Sequence, residues 1–172
     1  MKRTVFILCC MVVMQFFLAC NKTNDGTFTE PISIYEKLGG TWVLTRLNMI
    51  DEVAAANSLK PDAMNLTGKF NFKTFAITLQ LSEQFEPGTF EVSGDAPALF
   101  IKSGFWKLSN PYPNTDGTAV QLELYTDEAK TNLADVLSIT SLPGNRAVMD
   151  FSLTRQSNNV PFITYQYSLK LQ

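Results

Sequence analysis

From residue 163 to the end, every second position is apolar. Ile163, Tyr165, Tyr167, Leu169 and Leu171 fall on one face of an extended chain, with Thr164, Gln166, Ser168 and Lys170 on the other. A period of two marks a β-strand with one face buried and one wet. The same alternation recurs as Val120, Leu122 and Leu124 against Gln121 and Glu123, and as Phe75, Ile77, Leu79 and Leu81 against Ala76, Thr78 and Gln80. Met64, Leu66, Phe70 and Phe72 continue it upstream, and only Lys73 and Thr74 separate that run from Phe75, which predicts a tight hairpin. Shorter or less regular runs predict strands around Phe90 and Val92, over residues 98–108, over 136–142, and over Ala147, Met149, Phe151 and Leu153. Along the first strand, from Thr41 to about Met49, the inward set changes from Trp42 and Leu44 to Leu47 and Met49, which requires a bulge near Thr45 or Arg46. Residues 31–38 predict one turn of helix and residues 51–58 a short helix ended before Pro61, whereas 126–135 reads as either a capped helix or a long loop.

These runs give eight or nine antiparallel strands joined by short turns, an all-β chain. Such a sheet either folds into a sandwich or closes into an up-and-down barrel, and strand number alone leaves both open. The two tryptophans sit in matching contexts, Gly40-Thr41-Trp42-Val43-Leu44 and Gly104-Phe105-Trp106-Lys107-Leu108. In a strand, Trp and Leu two apart share a face, so Trp42 and Trp106 are expected to be structural anchors of the core.

The N-terminus follows another pattern. Met1-Lys2-Arg3 is basic, and Thr4 to Leu18 is almost wholly apolar over about 15 residues. That is the length of a secretory h-region and short of the ~20 residues a spanning helix needs. It ends in Phe16-Phe17-Leu18-Ala19-Cys20, which resembles a bacterial lipobox and implies lipidation of Cys20 and anchoring to a membrane through acyl chains. The expected organisation is a lipoprotein signal peptide over 1–20, a polar linker over 21–34 and a folded domain over 35–172.

Charge and composition narrow the chemistry. The formal charge is −2, and removal of Lys2 and Arg3 with the leader leaves 12 basic against 16 acidic residues, so a nucleic-acid partner is not expected. There is no histidine, and the cysteines are Cys9, Cys10 and Cys20, so His-based acid–base work, thiol nucleophiles and imidazole metal sites are all outside the folded domain. The expectation is a protein that is not an enzyme, with no cofactor and no metal. Asn114-Thr115-Asp116-Gly117 reads as a turn rather than a calcium loop, and Glu83 with Glu86 and Asp127 with Glu128 read as solvated loop charges.

The paired Gly-x-Trp motifs, the late pair Ile139-Thr140-Ser141-Leu142 and Val148-Met149-Asp150-Phe151, and the lipobox together resemble the lipocalin-like lipoproteins of Gram-negative bacteria, over residues 35–172. The resemblance implies an eight-stranded calycin-type barrel open at one end, a cell-envelope location, outer membrane included, and a late arginine stacked on the first-strand tryptophan. Arg155, or else Arg146, is the candidate for that cation–π contact.

The inward aromatics Phe70, Phe72, Phe75, Phe90, Tyr165 and Tyr167 either line a cavity for a small apolar ligand or fill a solid core. In a pocket, Tyr165 and Tyr167 would make the polar contacts, because a buried phenol needs a hydrogen-bond partner. Two functional classes follow. One is an envelope lipoprotein that binds a small apolar molecule. The other is a protein-interaction or inhibitor module with a solid barrel, its contacts carried by residues 109–117 and 126–135, its partner unidentified by sequence.

Overall fold

The computed structural model describes residues 31–172. Cys20, the apolar leader before it and most of the expected linker lie outside the described residues. Helix α1 (Ile34–Leu38) opens the described chain, with the Glu36 carboxylate accepting from the Ser33 N–H at 3.0 Å. It is followed by β1 (Gly40–Asp51), helix α2 (Glu52–Ala56), whose first turn is capped by the Asp51 carboxylate on the Ala54 N–H at 2.8 Å, and β2 (Ala63–Asn65). Then come β3 (Ala76–Leu81), β4 (Pro87–Ser93), β5 (Ser103–Leu108), β6 (Val120–Tyr125), β7 (Leu133–Ser141), β8 (Val148–Ser157) and β9 (Val160–Leu171).

All pairings are antiparallel, and the ladder runs β1-β3-β4-β5-β6-β7-β8-β9 before β9 returns to β1, closing an eight-stranded barrel. The sandwich alternative is thereby removed. The length of β1 makes closure possible: its first residues pair with β3, Asn48 to Ile50 pair with the extra strand β2, and its other edge pairs with β9 from Trp42 to Asp51. The bulge expected near Thr45 or Arg46 is present and falls at Thr45, because Leu44 opposes Leu169 while Arg46 opposes Ser168, and the inward set passes from Trp42 and Leu44 to Leu47. Thr45 Oγ1 donates to the Ser168 carbonyl at 2.9 Å, which ties the extra residue down.

Three expectations need correcting. The run from Met64 to Phe72 is not one strand, and no hairpin forms across Lys73 and Thr74. Only Ala63–Asn65 is extended, it pairs with β1, and the chain then folds into successive turns closed by Lys69 N on Leu66 O, Phe72 N on Lys69 O and Phe75 N on Phe72 O. Phe70 and Asn71 take φ of 50° and 60°, a left-handed pair incompatible with a strand, and this turns Phe70 out to solvent, 69% exposed. Residues 98–102 are loop rather than the start of β5. Of the stretch 126–135, residues 126–132 take the loop alternative and 133–135 begin β7; the loop is organised by Asp127, whose carboxylate accepts from the Asn132 N–H at 2.7 Å and the Thr131 hydroxyl at 2.8 Å. Those bonds, the Asn132 backbone foremost, hold the Asp127 pKa below the usual carboxylate value.

Strand alternation sorts the connections between two ends. The α1 end carries α1, the starts of β1 and β4, residues 109–119 and the end of β9, and the α2 end carries α2 and residues 66–75, 94–102 and 126–132. Trp42 and Trp106 are fully buried. The Trp42 indole N–H donates to the Leu38 carbonyl at 2.7 Å, at the C-terminal end of α1, so the first-strand tryptophan bolts the helix over its end of the barrel. Trp106 donates to the Gln80 carbonyl at 3.1 Å and meets the Tyr35 ring edge-on at 5.6 Å. Gly104 has φ +152° and passes so close to β6 that an added Cβ would lie 2.1 Å from the Tyr125 carbonyl oxygen, so the glycine two before Trp106 has no substitute.

Candidate functional site

Five of the six aromatics assigned to a pocket wall face inward wholly or in part. Phe72, Phe75, Phe90 and Tyr167 are buried, Tyr165 is half-buried against the core, and Phe70 is outside, meeting Phe72 edge-on at 6.4 Å. The structure does not gather them as one wall. Phe75 and Tyr167 meet at 5.4 Å near the α2 end, and their other neighbours are Phe151, stacked on Tyr167 at 4.6 Å, and Phe100.

Phe100 comes from the β4–β5 connection. Its ring lies 6.1 Å from Phe75, 6.2 Å from Phe151 and 6.1 Å from Tyr167, edge-on to each, and it is 7% exposed. Because β4 and β5 stand across the ring from β8 and β9, residues 94–102 must cross the barrel mouth to place Phe100 there. One root of the loop is pinned at Gly94, with φ +96° and its Cα packed on the Thr74 carbonyl, while Thr74 Oγ1 accepts from the Asp95 N–H at 2.9 Å. The other root is held by Val92 N on Lys102 O at 2.6 Å.

Across the mouth the loop is gripped by an ion pair. Arg155 Nη1 lies 3.1 Å from Asp135 Oδ1, Arg155 Nη2 donates to the Leu99 carbonyl, and Asp135 Oδ2 accepts from the Ile101 N–H at 3.0 Å. The two charges therefore hold the backbone on both sides of Phe100. This placement corrects the role expected of Arg155. Its strand partner Ile163 pairs with Asp51, at the far end of β1 from Trp42, so the guanidinium cannot stack on that indole, and the cation–π contact among the described residues is Lys107 over Tyr125 at 5.0 Å.

Beneath Phe100, Tyr167 is 1% exposed, and its hydroxyl has no hydrogen-bond partner among the described residues. Burial, with the neighbouring Tyr165 adding to it, raises the phenol pKa far above its ordinary value against a smaller opposing pull from Arg155. The group is a neutral donor and acceptor, and the buried side-chain polar atom without a partner among the described residues is Asp150 Oδ1, on the paired strand β8. Sequence reasoning missed Phe100 and Asp135. Gly94-Asp95-Ala96-Pro97 was the available signal for the loop, since a proline there argues against a continuing strand. The Asp135 and Arg155 pairing, across two strands, left no local trace.

Two further surfaces are concave. At the α1 end, Pro113 and Gly117 to Ala119 face Ile139 and Leu142 across a groove of about 400 Å³. On the outer wall, Arg46, Asn48, Asp150 and Gln166 border a polar groove of about 320 Å³. Among the described residues no three Cys, Asp or Glu side chains gather as a metal site would require. In the turn Asn114 to Gly117, the Asp116 carboxylate is taken up by the Thr118 hydroxyl at 2.7 Å and N–H at 2.9 Å. Among the described residues no helix is long and apolar enough to cross a membrane.

The model of a domain of unknown function, DUF5004, matches residues 19–170. No curated protein and no solved structure matches the chain.

Proposed function

The chain belongs to the DUF5004 family, and on that premise we propose that it is a lipid-anchored envelope protein of a Gram-negative bacterium whose lipocalin-like barrel binds a small apolar molecule. The role is one of binding rather than catalysis. The observation that carries this reading is the inward aromatic cluster of Phe75, Phe151 and Tyr167, in which the Tyr167 phenol supplies a hydrogen-bonding group. Cys20 is the acylation site in this reading.

Native mass spectrometry of the protein purified from its own envelope tests both halves. Acylated Cys20 and a non-covalent small apolar molecule are expected; an unacylated chain would overturn the anchor, and a protein free of any such molecule would overturn the ligand.

A second reading is favoured by the groove at the α1 end, whose floor includes Val120, Ile139 and Leu142 and whose rim is the long loop after β5. There the barrel is a solid support and the loop meets a protein partner. Loop substitutions at Pro113 and Thr118 that abolished a co-purifying partner, with thermal stability unchanged, would favour it.

A further inference from the structure

The hold on Phe100 differs from ordinary core packing. Most buried aromatics here sit on strands of the closed ladder, where moving them means breaking the barrel. Phe100 sits on a nine-residue connection, residues 94–102, which joins β4 to β5 outside the ladder. Lifting it disturbs no β-pairing.

It is kept down by the packing of Ala96, Leu99 and Ile101 on the core and by one polar clamp. Arg155 takes the carbonyl before Phe100, Asp135 takes the N–H after it, and the two charges bind each other. Asp135 is nearly covered while the Arg155 side chain is 42% exposed, so the clamp is reachable from water on one side. Both roots of the loop are fixed, at Gly94 against Thr74 and at Lys102 against Val92, so release of the clamp swings the middle of the loop and leaves its ends in place.

Under the lifted ring lie the faces of Phe75 and Phe151 and the ring of Tyr167, each now meeting Phe100 edge-on. The only polar group named in that chamber is the Tyr167 hydroxyl, unpartnered among the described residues. Edge-on contacts on three sides fit a planar ring, and a single phenol fits a single hydrogen-bonding group.

We propose that the space filled by Phe100 is a gated ligand site, in which a small, flat, apolar molecule with one hydrogen-bonding group replaces the Phe100 ring, reaches Tyr167, and holds residues 94–102 open with the Arg155–Asp135 clamp released. This rests on the ligand reading above and adds to it where the ligand sits, what class it belongs to and which residues admit it. The closed loop is then a competitor for the site. Its strength sets how far apparent affinity falls below intrinsic affinity.

The test uses 2-naphthol as probe and the full chain in lipid nanodiscs, with protein-free nanodiscs as the blank. Calorimetry should show Arg155→Met and Phe100→Ala each tightening naphthol binding by about tenfold, because each removes the competing closed state. Adding Tyr167→Phe to Phe100→Ala should weaken it by about fivefold, the size of one hydrogen bond. In the unaltered protein, naphthol should speed hydrogen exchange at the Ile101 amide, whose bond to Asp135 must break. Unchanged affinity in both Arg155→Met and Phe100→Ala would overturn the proposal, as would naphthol binding that leaves Ile101 exchange unaltered. If Phe100→Ala does not fold, Arg155→Met and the exchange measurement decide alone. The probe is supplied, so a protein that leaves its envelope empty would sink the proposed physiological ligand without touching this result.

Discussion

At the scale of single residues, Trp42 and Tyr167 make the clearest claims. Trp42 is fully buried, and its indole N–H answers a helix-end carbonyl that has no intrahelical partner. Trp42→Ala is expected to cost about 3–5 kcal/mol in chemical denaturation, as other large core truncations do. An unchanged midpoint would refute the reading of Trp42 as an anchor. For Tyr167 the sign follows from the raised pKa: the folded state favours the neutral phenol, so its contribution to stability is whole below the unfolded value of 10.0 and is lost as pH climbs above it. Denaturation between pH 10 and 12 should show stability falling, with Tyr167→Phe removing part of the slope. Identical slopes would place the phenol in contact with water. Both residues were visible in the sequence, since Trp42 lay in a repeated motif and Tyr167 in a strict alternation. The contact expected over Trp42 was not. A carbonyl does the work there that the resemblance gave to an arginine, and backbone acceptors leave no mark on residue identity.

Among the elements, legibility followed burial of one face. β9 read cleanly because its alternation meets a core on one side and water on the other, and the β1 bulge was visible because burying both Leu44 and Leu47 cannot be done without an extra residue. The run from Met64 to Phe72 misled for the converse reason. Its spacing has period two, but Phe70 and Asn71 adopt left-handed angles, and the apolar positions serve a series of turns plugging the α2 end. Likewise Ala98 to Ile101 is apolar enough for a strand, and only its distance from any free ladder edge makes it a loop. Two predictions belong here. Gly104→Ala, which drives a Cβ to within 2.1 Å of the Tyr125 carbonyl, should separate β5 from β6 at a cost of about 3 kcal/mol, read as a lowered melting temperature; an unperturbed melt would mean that the ladder yields there. Asp127→Ala should cost about 1 kcal/mol and speed exchange of the Thr131 and Asn132 amides while leaving the other strands protected, since its bonds serve only its own loop.

At the scale of the molecule, the closed ladder was only one of two architectures the strand pattern allowed, because closure is a property of the pairing between the first strand and the last and no local run contains it. That pairing holds from Trp42 with Leu171 to Asp51 with Ile163. A chain ended after Gln166 would lose β9 beside Trp42 and Leu44, and with it the contacts of Tyr167 and Leu169 in the core. It should show no cooperative melt by circular dichroism; a sharp transition would mean that the half of β9 paired with Asn48 to Asp51 suffices to close the barrel. The same pairing also orders events in time. Contacts this distant in sequence form slowly, and none of them exists until the last dozen residues have left the ribosome. Throughout its synthesis the chain has an open sheet with the β9-facing edge of β1 unpaired, so the export that the proposed anchoring requires would meet no closed barrel to unfold.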